Sequence, residues 1–161
     1  LPNGELHRED GPDVIYPGGN LYWYWHGLLH RTDGPAISHP DGDTYWYFHG
    51  FHHRTNGPAI SYPNGAEYWY QYDLYHRADG PAVIQPNGTE RWYWYGKLHR
   101  ADGPAVMFSD GENYWCKNGE HHRADGPAIT KSNGDTYYYL NGIEYDPAIF
   151  LIKVYEYTNK T

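Results

Sequence analysis

Apolar and polar residues alternate along this chain in short runs, which Pro, Gly, Asn and Asp separate. In residues 44–49, Tyr45 and Tyr47 fall on one face of an extended strand, and Trp46 falls on the other. The shorter run of residues 35–39 alternates in the same way. Because Tyr, Trp and Ile favour strands, the two runs predict an antiparallel β-hairpin and an all-β fold.

The whole pattern returns every 23 residues without an insertion. Columns of Pro, Gly and Trp keep the same spacing as the dipeptide His-Arg. Six copies at one spacing predict an array of stacked repeats, since a single hairpin is not stable alone. The dipeptide stands at 7–8, 30–31, 53–54, 76–77, 99–100 and 122–123.

Two turn signals divide each unit. Asn-Gly or Asp-Gly, as at 64–65, favours a tight hairpin turn because both residues tolerate positive φ. A longer turn is expected from the following Gly through His-Arg-x-Asp-Gly. Each unit is then one hairpin of an antiparallel meander, in which Trp lies over Trp and Tyr over Tyr.

The repeat pattern is lost near the C-terminus, where Asp146-Pro147 replaces the long turn. We therefore expect a six-unit array over residues 1–145, with an incomplete first unit, and a distinct cap over residues 146–161. Asp146 as N-cap and Pro147 at the first helical position favour a short helix. The β-branched residues from Ile149 onward favour a last strand instead. In either form the cap would cover the open edge of the sheet.

Length and charge narrow the function classes. The chain has 161 residues, enough for one domain, and a net charge of −8, which makes nucleic-acid binding unlikely. It contains no apolar run long enough for a membrane span and shows no leader peptide, so we expect a cytoplasmic protein. One cysteine, Cys116, excludes an intrachain disulfide.

The arginines of the His-Arg column are the first binding candidates. A row of guanidinium groups about 10 Å apart would suit a polyanion or an acidic protein surface. In the alternative, each arginine pairs with the Asp that follows it in five of the six copies, and the row is structural. The column consists of Arg8, Arg31, Arg54, Arg77, Arg100 and Arg123.

Positions that differ between repeats are the second set of candidates. A structural column should be uniform, whereas a variable column is either free solvent surface or the place that determines binding specificity. Trp25 and Trp94 are costly to expose without a purpose. The predicted partner-binding residues are Trp25, Phe48, Trp94, His26, His49, Tyr72 and Tyr95.

Chemistry beyond binding has little support in the sequence. A repeat spreads its 11 histidines along a line, so we expect no metal site and no cofactor. No catalytic motif is present, and Cys116 replaces a Tyr of its column, which indicates a core position. We therefore predict that the protein is not an enzyme. Acidification through about pH 6.5 would charge the histidines and change the affinity for a partner.

The segments His-Arg-x-Asp-Gly-Pro-Ala and Asp/Asn-Gly-x-x-Tyr-Trp-Tyr resemble the MORN repeat, in the variant seen in phage, large-virus and bacterial proteins. The resemblance covers about residues 4–145 and implies stacked hairpins that act as a scaffold or interaction platform. It suggests a non-enzymatic protein–protein interaction module, in its sharpest form a viral inhibitor of a host defence protein in the host cytoplasm. The alternative is binding of a polyanion, nucleic acid or lipid headgroup by the His-Arg column. The apolar segment 149–154 is also a candidate homodimer contact.

Overall fold

The structure is a computed structural model that describes residues 4, 6–8 and 10–159. The outermost residues of the two predicted parts, 1–3 and 160–161, lie outside the described residues. Within the described part the chain forms 23 strands and one C-terminal helix. The expected all-β hairpin array with a helical cap is therefore confirmed.

All strands but two have two residues each. In chain order they are β1 (Val14–Ile15), β2 (Leu21–Tyr22), β3 (Tyr24–Trp25), β4 (Leu28–Leu29), β5 (Ile37–Ser38), β6 (Thr44–Tyr45), β7 (Tyr47–Phe48), β8 (Phe51–His52), β9 (Ile60–Ser61), β10 (Glu67–Tyr68), β11 (Tyr70–Gln71) and β12 (Leu74–Tyr75). They continue as β13 (Val83–Ile84), β14 (Glu90–Arg91), β15 (Tyr93–Trp94), β16 (Lys97–Leu98), β17 (Val106–Met107), β18 (Asn113–Tyr114), β19 (Cys116–Lys117), β20 (Glu120–His121), β21 (Ile129–Thr130), β22 (Thr136–Leu140) and β23 (Ile143–Tyr145).

One antiparallel sheet of 13 strands runs through the array in the order β1-β2-β5-β6-β9-β10-β13-β14-β17-β18-β21-β22-β23. Each repeat adds two neighbouring strands. Tyr45 of β6, for example, pairs with Ile37 of its own repeat and with Ile60 of the next. The same backbone hydrogen bonds thus join strands within and between repeats.

The expected long strand at residues 44–49 is wrong in one respect, because it is broken at Trp46. The Trp46 N–H donates to the Ala59 carbonyl of the next repeat at 2.7 Å, and the chain then turns into a second hairpin, β7–β8. Each such repeat therefore has two hairpins, and the second forms a two-stranded sheet of its own. In the last repeat Tyr138 replaces the Trp, and β22 runs unbroken.

A turn is present at Asn-Gly and Asp-Gly, as predicted, but in a pair such as Asn64-Gly65 only the Gly has a positive φ. Asn64 Oδ1 accepts a hydrogen bond from the Ala66 N–H at 3.0 Å, and Gly65 has a φ of +87°. A positive φ at this position requires glycine or a residue of similar tolerance. These turns lie at one end of the strands of the sheet, and the His-Arg loops lie towards the other end.

Stacking in the interior differs from the expectation. Five alanines have no exposed surface, so the backbones of neighbouring repeats approach closely: Ala36, Ala59, Ala82, Ala105 and Ala128. Tyrosines do form ring ladders, as where Tyr75 lies between Tyr70 and Tyr93 with centroids 4.3 and 5.0 Å away. The predicted Trp-over-Trp ladder is wrong, because an arginine covers each of these indoles instead.

The cap is the helix α1 (Pro147–Thr158), so the helical alternative is confirmed. Asp146 is its N-cap, and its carboxylate accepts from the Ala148 N–H at 2.8 Å. Phe150 is only 2 % exposed and packs on Tyr138 of β22, with ring centroids 4.8 Å apart. The helix thereby covers the place where another repeat would stack.

Candidate partner-binding groove

Each arginine that follows a Trp column residue lies over that tryptophan. Arg77 Cζ is 3.9 Å from the centroid of the Trp69 ring, a cation–π contact. Gly80 lies against the same guanidinium, and a Cβ added there would come within 2.8 Å of Cζ. A glycine is therefore needed at position 80 for the Arg77 guanidinium to lie this close to the backbone. The other pairs are Arg31–Trp23, Arg54–Trp46, Arg100–Trp92 and Arg123–Trp115.

Hydrogen bonds hold the guanidinium in this position. Arg77 Nε donates to Asp79 Oδ1 at 3.0 Å, and Nη1 donates to the Pro81 carbonyl at 3.3 Å. The hydrogen bond from Arg77, together with its charge, lowers the pKa of Asp79, so the carboxylate stays ionised. The predicted pairing of Arg with the following Asp is therefore confirmed. It recurs as Arg8–Asp10, Arg31–Asp33, Arg100–Asp102 and Arg123–Asp125.

The two charges of each pair differ in exposure. In the four pairs that begin at Arg31, Arg77, Arg100 and Arg123, the arginine side chains are 21–26 % exposed and the aspartates 78–84 % exposed. The loops therefore present their carboxylates to solvent, and the guanidinium groups are less exposed. The Arg row that the sequence suggested is largely a supporting layer.

The third repeat breaks this row. Asn56 stands where the other repeats have Asp, and Arg54 has no carboxylate partner among the described ion pairs. Its Nη1 still donates to the Pro58 carbonyl at 3.1 Å. Burial lowers the pKa of Arg54, yet arginine remains charged at neutral pH.

The histidine of the His-Arg pair supports a turn of the next repeat. Nδ1 of His76 accepts the backbone N–H of Tyr95 at 3.2 Å, and burial lowers the pKa of this histidine. Only an unprotonated Nδ1 can accept this bond. The same bond joins His30 to His49, His99 to Asn118 and His122 to Asn141.

Four of the predicted partner-binding residues are tips of tight turns. Each occupies the first central position with a φ of 44–50°, in the left-handed region that bulky residues rarely adopt. The sequence signal for these turns was Asn118-Gly119, a dipeptide typical of two-residue hairpin loops. The tips vary because only their backbone is constrained. They are His26, His49, Tyr72 and Tyr95.

The turn at Tyr72 departs from the others. Its second central residue is Asp73 rather than Gly, also with positive φ. Asp73 Oδ1 accepts from the His52 N–H at 2.7 Å and lies 2.8 Å from His52 Nδ1. This carboxylate takes over part of the support that histidine gives elsewhere, since His53 Nδ1 is buried without a hydrogen-bond partner.

Clefts open between successive His-Arg loops. The first has a volume of about 800 Å³ and lies between the loops of Arg8 and Arg31. A second, of about 790 Å³, lies between the loops of Arg77 and Arg100, and a third, of about 350 Å³, between those of Arg100 and Arg123. The last two share Arg100 and its neighbours, so they are adjacent sections of one groove.

The groove brings the two predicted sets of residues together. Trp25, Phe48 and His49 line the first cleft beside two of the arginines, and Trp94 lines the second. Of these, Trp94 is the most open, at 47 % exposed. His26, Tyr72 and Tyr95 are exposed turn tips but do not line these three clefts. Lys117, a variable position of the same column as Trp94, and the aspartates that the sequence paired with the arginines also line these clefts: Asp10, Asp33, Asp79, Asp102 and Asp125.

Cys116 is a core residue, as its column indicated. The side chain is buried, its Sγ lies 3.6 Å from His121 Nδ1, and burial raises the pKa of the thiol to about 11. Burial also lowers the pKa of His121. Both groups are therefore neutral at pH 7, which is the opposite of the thiolate–imidazolium state of a reactive cysteine.

The described residues contain one group of metal-ligating side chains, His39, Asp41 and Asp43, at the tip of a hairpin. Their nearest ligand atoms lie within 4.8 Å of one another. The Asp43 N–H donates to Asp41 Oδ1, and the His39 ring packs on Tyr45, so each has a local role in the turn. This histidine lies outside the His-Arg column on which the metal expectation was based.

The outer face of α1 is apolar. Leu151 is 77 % exposed, and Ile152 and Tyr155 are exposed beside it. The predicted homodimer contact through residues 149–154 stays a prediction. α1 is too short to span a bilayer, and no other helix occurs among residues 4, 6–8 and 10–159.

Comparison with known proteins does not identify a family for this chain. No protein-family model matches the chain, and no curated protein matches it significantly. The similarity to MORN repeats therefore remains a resemblance of sequence pattern.

Proposed function

We propose that this chain is a non-enzymatic interaction module that holds a protein partner in the groove between its His-Arg loops. One observation carries the proposal: the groove is built on a uniform scaffold but is bordered by side chains that change from repeat to repeat. The position of Trp94, for example, holds Gln71 one repeat earlier and Lys117 one repeat later. Such variation on a constant frame is typical of repeat proteins that bind partners.

The absence of catalysis is part of this proposal. The recurring His, Arg and Asp side chains are engaged in bonds that hold one repeat to the next or to its own loop. The Cys116–His121 contact has the wrong protonation states for a nucleophile. These contacts support a scaffold rather than a reaction centre.

A polyanion ligand is the weaker alternative. The arginines lie against their tryptophans, and the carboxylate of each pair is more exposed to solvent. Among the loop arginines, Arg54 alone favours an anion, because Asn56 leaves it without a carboxylate partner in its own loop. The narrower idea of a viral inhibitor of a host defence protein rests on the resemblance and on the net charge of −8, which suits a basic target surface.

The test exchanges a groove residue and the exposed turn tip next to it for the residues of other repeats, so that the fold is preserved. Trp94→Gln copies Gln71, and Tyr95→Asn copies Asn118 at a turn position that tolerates Asn. The matched control is Tyr62→Gln, which copies Gln85 near the opposite turns. Proteins retained from a lysate are identified by mass spectrometry, and binding of the retained protein is then measured by surface plasmon resonance.

We expect the double variant Trp94→Gln/Tyr95→Asn to lose the partner and Tyr62→Gln to retain it. Equal retention by both would contradict the groove as the binding site. Retention of nucleic acid or anionic lipid by the wild type, lost in Arg54→Gln, would establish the alternative instead.

A further inference from the structure

The groove has a fixed period. Each repeat adds two strands to the sheet, so neighbouring clefts are about 9.5 Å apart, twice the usual strand spacing. A polyproline II helix has three residues per turn and a rise of about 3.1 Å per residue. Its side chains i and i+3 therefore point the same way about 9.3 Å apart. An extended β-strand cannot place i and i+3 on one face, because its period is two.

The chemistry of the clefts selects the side chain that enters them. The second cleft is bordered by the carboxylates of Asp79 and Asp102, and Trp94 lies on its wall. Carboxylates with an aromatic ring beside them favour a cation, through charge and cation–π attraction. The arginines also line this cleft, but they are far less exposed than the aspartates, so a ligand that enters from solvent meets the carboxylates first. The net charge of −8 also attracts a cationic partner from a distance.

The later repeats offer the longest unbroken run of this pattern. Asp79, Asp102 and Asp125 are consecutive, whereas Asn56 interrupts the row before them. The loop residue between Arg and Asp is Ala in these three repeats, which leaves the groove unobstructed. Lys117 lines the third cleft and opposes a cation there, so the second cleft is the stronger subsite.

We propose that the groove between the loops of Arg77 and Arg123 binds a polyproline II segment of a partner protein that carries a basic residue at every third position. This inference rests on the proposed function and names the chemistry of the partner.

The probes are two synthetic peptides of identical composition. One consists of four Pro-Pro-Lys units, and the other has its four lysines in one central block between prolines. Binding to the full chain is measured by isothermal titration calorimetry at physiological ionic strength. Two double variants are compared with the wild type: Asp79→Asn/Asp102→Asn in the groove, and Asp41→Asn/Asp110→Asn at the opposite turns. Both remove two charges, and Asn stands naturally at both positions in other repeats, as Asn56 and Asn64.

We expect the periodic peptide to bind more tightly than the block peptide. The groove variant should weaken its binding by about 1.5- to fivefold per carboxylate, the range of exposed ion pairs, and the control variant should leave it nearly unchanged. Equal affinity for the two peptides, or equal losses in the two variants, would overturn the inference, since either shows attraction by net charge alone. Absence of peptide binding by a chain whose captured partner is lost in Trp94→Gln/Tyr95→Asn would overturn it while leaving the proposed function intact.

Discussion

Nδ1 of His76 accepts the backbone N–H of Tyr95 at 3.2 Å, and the two rings stack with centroids 4.1 Å apart. The bond joins one repeat to the next at a residue whose φ is 44°. A buried imidazole thus satisfies the N–H of a turn residue in a conformation that L-residues rarely adopt. This contact explains why the His of His-Arg repeats while the turn tip beside it varies.

Replacing His76 by leucine should destabilise the fold. The Tyr95 N–H loses its acceptor, and an unpaired backbone group costs about 1–3 kcal/mol. Urea unfolding followed by tryptophan fluorescence measures the change. Asn at the same position offers an oxygen near the place of Nδ1, so His76→Asn should recover part of the loss. If Leu and Asn variants are equally stable, the hydrogen bond contributes nothing.

Mild acid should weaken the array. Burial lowers the pKa of His30, His53 and His76, so the unfolded chain takes up protons before the folded chain does. The free energy of unfolding should therefore be constant above about pH 7 and decrease as the pH falls through about 6.5, the unfolded value, towards the folded pKa.

Urea unfolding at pH 7.5, 6.5 and 5.5 tests this dependence. The loop carboxylates do not interfere, because their lowered pKa values place their own loss of stability closer to pH 4. His76→Asn serves as control and should show a smaller decrease over the same interval. A stability that does not change between pH 7.5 and 5.5 would refute the role of these histidines.

A methyl group at Gly34 should be costly. Its Cβ would lie 2.6 Å from Arg31 Cζ, which has to leave Trp23 and its hydrogen bond to Asp33. Loss of the cation–π contact and of that bond predicts a destabilisation of about 1–2 kcal/mol for Gly34→Ala. Gly18→Ala is the control, because nothing lies within 4 Å of the added Cβ and its φ is not positive. Thermal melting of the two variants should separate them clearly.

Phe150 should anchor the cap, and Leu151 should not. Phe150→Ala removes a buried ring that packs on Tyr138 and is expected to cost about 3–5 kcal/mol. Leu151→Ala changes a residue that is 77 % exposed and should be nearly neutral for folding. Circular dichroism in urea measures both. Sedimentation of the Leu151→Ala variant over a range of concentrations also tests the predicted homodimer contact, since a dimer through this face would weaken.

Much of the fold follows from local signals. The period of 23 residues, the Asn-Gly turns and the Asp146-Pro147 helix start depend on residues close in sequence, so the chain alone predicts them. The broken strand was missed because the break at Trp46 depends on the Ala59 carbonyl of another repeat. An alternation of apolar and polar residues with period two does not reveal a hydrogen bond to a residue outside the paired strands.

The candidate site divides in the same way. The Arg–Asp pairing could be predicted because the two residues are only two positions apart and occur together in five of the six repeats. The sequence did not show that the aspartate is more exposed than the arginine, because this difference depends on the packing of the guanidinium against Trp69 and Gly80. This difference in exposure changes the kind of ligand that we expect. The sequence suggested a row of cations, whereas the structure presents a row of carboxylates.

The sequence by itself determined the repeating hairpin unit, the positions of the turns, the presence of a distinct C-terminal cap and the list of residues that vary, because each is set by local backbone preference and by spacing. Only the tertiary structure decided that Trp25 and Phe48 line one cleft between His-Arg loops and Trp94 another, and that His76 supports Tyr95. These contacts join residues of different repeats, and side chains meet there only when the repeats stack.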